Sequence, residues 1–138
     1  MGGKAAMKIT ADTNMLVRAL TGDDARQSRL AQRELANADM IALALPALCE
    51  LVWVLSQGYK YSSKDIATAV RRLLNSAKVA VNRPAAEAGL ALLEAGGDFA
   101  DGVIAHEGSW LGSEIFLSFD RTAVNLLQAQ GEQARLLA

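Results

Sequence analysis

The sequence predicts a small α/β domain: three layers, α/β/α, around a mainly parallel central sheet of four to five strands. Three observations predict it. Short apolar or β-branched runs alternate with longer stretches of helical periodicity. Capping and turn residues stand at most of the junctions between them. Strands that alternate with helices pair in parallel and are covered on both faces.

Taken in order, residues 7–11 read as the first strand and 14–20 as a short helix closed by Thr21-Gly22. Asp23-Asp24 starts a longer helix to about residue 36, with Leu30, Leu35 and nearby alanines as its apolar side. The run "MIALAL", 40–45, has the length of a buried strand, and Pro46 suits the first turn of a helix over 46–56 that stops at Gly58. Ser62 and Asp65 form a capping-box-like start for a helix over 63–77, and 79–81 is a short strand. Pro84 opens a helix to residue 95, ended by Gly96-Gly97. A helix over 98–111, a strand over 114–119, a helix over 120–129 and a short strand over 135–137 complete the chain.

The totals set limits. With 138 residues, one domain with a real core is expected over 7–138. "MGGKAA", residues 1–6, reads as a flexible leader or a cloning remnant. A net charge of −1 gives no strong general attraction for nucleic acid, so such a partner would be held by local patches. A single cysteine, Cys49, rules out an intrachain disulfide and fits a reducing, cytoplasmic setting. No apolar run approaches the roughly 20 residues of a membrane span, so no membrane partner is expected. Trp53 and Trp110 read as core or interface residues.

In parallel α/β sheets the site lies beyond the carboxyl ends of the strands. Asp12 follows the first strand, and Asp120 follows the strand over 114–119. Glu50 lies about 6 Å along the helix after the second strand. Asp101 sits in the first turn of its helix. Four converging carboxylates repel one another unless protonated or neutralised. A hard divalent ion, Mg²⁺ or Mn²⁺, takes such oxygen ligands, activates water and steadies charge on a phosphoryl oxygen. Each acid also has a structural reading. Asp12, Asp98 and Asp120 suit helix N-caps, and Asp101 suits a first turn. Glu50, inside "LPALCELVWVL", is expected to be buried and therefore paired or metal-bound.

The blocks "ADTNMLVRAL", "PALCELVWVL", "DFADGVIAHEG" and "FLSFDRTA" resemble, in order, those of a PIN domain. Within that superfamily the chain is most similar to the VapC-type toxins, including the FitB-like members. The resemblance covers nearly the whole chain after the leader. It implies a central parallel sheet flanked by helices, and Mg²⁺- or Mn²⁺-dependent endoribonuclease activity. It assigns Asp12, Glu50, Asp101 and Asp120 as catalytic, metal-binding acids, Glu50 through a water. Asn14 matches a polar position beside the first acid. Ser118 stands where threonine is frequent, and Gly102 stands where alanine is usual, which bears on local rigidity. A cognate antitoxin, an RNA substrate and a homodimer are the implied partners, with DNA met only through the antitoxin.

Arg18 and the loop "QGYKYSSK", with Tyr59, Lys60 and Tyr61, are candidates for gripping substrate, by stacking bases and touching phosphates. The same loop also reads as a solvated connection between helices. Two alternatives to a ribonuclease toxin share the resemblance. One is a weakly or non-catalytic PIN module that holds an antitoxin on operator DNA for autoregulation. The other is a nuclease acting on single-stranded or flap DNA.

Overall fold

A computed structural model describes residues 7–138, so the leader expected at 1–6 lies outside it. The described chain is mixed α/β, with seven α-helices and five short strands whose pairings are all parallel. It divides into two compact units, one reaching to Asn82 and the other spanning Arg83–Ala138.

The first unit contains β1 (Lys8–Thr10), α1 (Thr13–Thr21), α2 (Ala25–Asn37), β2 (Met40–Ala42) and α3 (Leu45–Trp53). A π-helical turn (Val54–Gly58), α4 (Ser63–Leu74) and β3 (Val79–Ala80) follow. Its sheet has the order β1-β2-β3, with Ile9 opposite Ile41 and Ile41 opposite Val79. Because the strands are parallel, Thr10, Ala42 and Ala80 end on one edge, and α1 and α3 start from that edge. The strand expected over 40–45 stops at Ala42, because Leu45 is already helical and Pro46 occupies the first positions of α3. Proline has no N–H to leave unpaired there and its φ is already helical.

α1 and α2 form a hairpin whose turn uses Gly22 at φ 66°, a left-handed conformation that costs glycine little. The apolar side expected for α2 is only partly right. Ser28 and Ala31 are buried, whereas Leu30 is 41% exposed. The end of α2 has no glycine; its C-cap, Ala38, is extended. Instead the Lys78 ammonium donates to the Leu35 and Ala36 carbonyls at 2.9 and 2.8 Å, satisfying acceptors that the helix leaves open. Leu16, Leu48, Leu51, Leu55, Ile66 and Val70 are fully buried. Truncating any one of these leucines to alanine costs about 2–5 kcal/mol.

The second unit contains α5 (Arg83–Glu94), α6 (Phe99–Trp110), β4 (Phe116–Ser118), α7 (Arg121–Ala129) and β5 (Ala134–Leu136). β4 pairs with β5. Leu92, Val124, Leu127 and Ala134 form one buried cluster in it, with Phe116 and Leu136 packed against them. α5 and α6 approach closely at two glycines. A Cβ on Gly102 would stand 2.9 Å from the Ala88 carbonyl carbon and 2.9 Å from Gly89 Cα. A Cβ on Gly89 would meet the Phe99 ring at 2.7 Å. Gly102 is therefore a packing requirement, and it holds the helix that carries Asp101.

Trp53 and Trp110 are 65% and 80% exposed, which removes the core half of their expected role. Among the described residues no helix is long and apolar enough to cross a membrane.

Candidate functional site

In the first unit, Asp12 and the start of α3 share the carboxyl edge of the sheet. Asp12 is the N-cap of α1: its Oδ1 accepts the Met15 amide hydrogen at 2.9 Å. Asn14, one turn position on, is exposed. Glu50 corrects the sequence expectation. Ala47, Leu48, Leu51 and Val52 take the buried side of α3, and Glu50 is exposed on another side with Trp53. It is not a buried charge in need of neutralisation.

In the second unit, Asp98 and Asp120 both bear on a third acid, Asp101. Asp98 Oδ1 accepts the Ala100 amide at 3.3 Å and caps α6, and Asp120 Oδ1 accepts the Ala123 amide at 3.1 Å and caps α7. Ser118, at the end of β4, accepts the Asp120 amide on Oγ at 2.9 Å, so its hydroxyl steadies the turn that aims the acid. Asp101, in the first turn of α6, is half-buried. Burial, then the charges of Asp98 and Asp120, raise its pKa above the ordinary carboxylate value. A carboxyl in that position releases its proton more readily when a cation is near.

The capping and site readings are compatible. Asp12, Asp98 and Asp120 each use Oδ1 for a cap. A carboxylate has a second oxygen and further lone pairs for another partner. The donors are all carboxylate oxygens, which suits Mg²⁺ or Mn²⁺ over softer metals. Among the described residues no three His, Cys, Asp or Glu side chains already stand together as a metal-holding group.

The expected grip residues lie elsewhere. Arg18 donates from Nε to Gln27 Oε1 at 2.8 Å and from Nη1 to Asp23 Oδ2 at 3.2 Å. Tyr59 donates its hydroxyl to the same Asp23 oxygen at 2.8 Å, and its ring tilts 45° against Tyr61 with centroids 5.9 Å apart. Lys60 between them is exposed at φ 59°. This knot sits at the far end of α1 from Asp12, about 13 Å along a nine-residue helix. Arg18 and Tyr59 are thus tied into the α1–α2 turn rather than aimed beyond the strand ends.

One feature had no sequence signal: an apolar cleft of about 320 Å³ in the first unit, lined by Leu16, Leu20, Leu35, Ile41 and Leu73, with Arg72 among the charged residues around it. Only the packing of α1, α2, α4 and the sheet brings these residues together. No known family model matches the chain, and no curated protein matches it either.

Proposed function

We propose that the protein is a Mg²⁺- or Mn²⁺-dependent endoribonuclease, the VapC-type toxin of a toxin–antitoxin pair, working in the cytoplasm as a homodimer. In this reading the chain is a single three-layer PIN domain. Asp12, Glu50, Asp101 and Asp120 supply its metal-binding oxygens, Glu50 through a water. The observation that carries the reading is Asp101: a half-buried acid pressed by two others, with its proton affinity raised, which is the electrostatic condition that a bound cation relieves. When bound, the ion activates water and steadies charge on the phosphoryl group. The chain's own part is to hold the acids: Asp12 and Asp120 by capping their helices, Asp120 further by Ser118, and Asp101 by the close α5–α6 crossing. The exposure of Glu50 suits an outer, water-bridged role better than a direct one. The apolar cleft beside α4 supports a partner that brings apolar side chains, as an antitoxin segment would.

The test is direct. Purified protein, free of antitoxin, cuts structured RNA in Mg²⁺ or Mn²⁺ and stops on chelation. The Asp101→Asn variant folds and does not cut. Equal cutting by that variant, with contaminating nucleases excluded, defeats the assignment. Cutting of single-stranded or flap DNA in preference to RNA would move the same acids to a different substrate.

A further inference from the structure

The outer face of α2 carries three arginines, Arg26, Arg29 and Arg33, all exposed. At 100° per residue they fall within about 60° of one another, opposite the buried Ser28 and Ala31. Their positions advance by three and then four residues, so they form a straight row about 10 Å long. Among the described residues, no side-chain hydrogen bond or ion pair engages any of the three. The acids just before the row are committed: Asp24 caps α2 through Gln27, and Asp23 holds Arg18 and Tyr59. Glu34 lies round the helix, beside the groove that Asn14 and Met15 of α1 share with Leu30 and Ala31.

Helix stability does not explain the row. Arg29 and Arg33 are a like-charged pair at i,i+4, and Arg26 and Arg29 are one at i,i+3, arrangements that weaken a helix. Arg26 stands in the first turn, where the helix macrodipole disfavours a cation, and the last turn holds no basic residue. The chain as a whole has a net charge of −1, so this concentration of positive charge is local.

We propose that this face of α2 is a track for the phosphodiester backbone of an RNA strand. Guanidinium groups bind phosphate oxygens in pairs, and three of them in a row about 10 Å long can meet the phosphates of a short stretch of strand. The track leads toward the catalytic end of the same hairpin. α2 returns alongside α1, and Glu34, next to Arg33 in sequence, lines one groove with Asn14, two residues after Asp12. The choice of RNA over an acidic polypeptide rests on the ribonuclease reading; the charge pattern does not.

The test measures binding without cleavage. A fluorescent 12-nucleotide uridine RNA is titrated with the full chain in EDTA, from 50 to 200 mM KCl, and compared with labelled polyglutamate. Three phosphate contacts contribute about 2 to the slope of log affinity against log salt. The triple variant Arg26→Gln, Arg29→Gln, Arg33→Gln is expected to lose that slope and bind RNA about tenfold more weakly at the lowest salt. The triple lysine variant keeps the slope. If the glutamine variant does not fold, each single variant loses about 0.7 of slope instead. No RNA binding by the unaltered chain, an unchanged slope in the variants, or losses confined to polyglutamate would each overturn the proposal. RNA binding that depends on the row, in a chain that cuts nothing in Mg²⁺, defeats the ribonuclease reading and leaves the track standing.

Discussion

Helices α3 and α6 each carry an acid among apolar neighbours, and the two acids meet opposite environments. Glu50 of α3 is exposed, although it lies in one of the most apolar stretches of the chain. Asp101 of α6 is half-buried, two residues after Phe99 and just before the close α5–α6 crossing at Gly102. The contrast shows that apolar neighbours in sequence do not bury a charge. In a helix, the angle at which the residue emerges decides, together with what stands against that side.

The comparison can be broken first at the level of chemistry. Asp101→Asn should lower RNA cleavage by at least about 100-fold in Mg²⁺, and Glu50→Gln should lower it less. Initial rates on one labelled RNA check both, and an equal loss would put the exposed acid on the same footing as the half-buried one. Next comes the crossing that holds α6. Gly102→Ala should cost about 1–3 kcal/mol in urea unfolding, because the new methyl has no space beside Ala88. Gly108→Ala on the same helix meets nothing closer than 4.0 Å and should instead add up to about 1 kcal/mol.

Third, Asp12→Ala should cost about 1 kcal/mol by removing the α1 cap, whereas Asp12→Asn keeps the cap and should leave the melting temperature nearly unchanged. The smallest effect is on pH. Asp101 holds its proton more tightly folded than unfolded. The folded state therefore binds more protons between the ordinary carboxylate value and the raised one. Stability present below that window falls as pH rises through it. Asp101→Asn should flatten this fall in melting temperature as pH rises from the ordinary carboxylate value.

Much of the fold was legible because punctuation marks the elements. Asp12, Asp24, Ser62, Asp98 and Asp120 all cap the helices that the sequence placed after them. The end of β2 at Ala42 is not legible, since the apolar run "MIALAL" crosses from strand into the extended entry to α3 without a change of hydropathy. The π-helical turn at Val54–Gly58 carries no distinguishing residue pattern. The packing role of Gly102 is invisible in its own segment because its partner, the Ala88–Gly89 backbone, belongs to another helix. Of the site, the caps at Asp12, Asp98 and Asp120 and the place of Asp101 in the first turn of α6 follow from positions in sequence. The exposure of Glu50 and the tying of Arg18 and Tyr59 to Asp23 depend on which sides of the helices face inward.

Lys78 gives α2 an ending that its own sequence lacks. The side chain that finishes the helix belongs to a residue more than forty positions downstream, at the threshold of β3. During synthesis, the last turn of α2 must wait, frayed, until that lysine has emerged and docked. A peptide cut from the rest of the chain before Lys78 would melt back from Asn37, so the length of this helix is a property of the assembled unit.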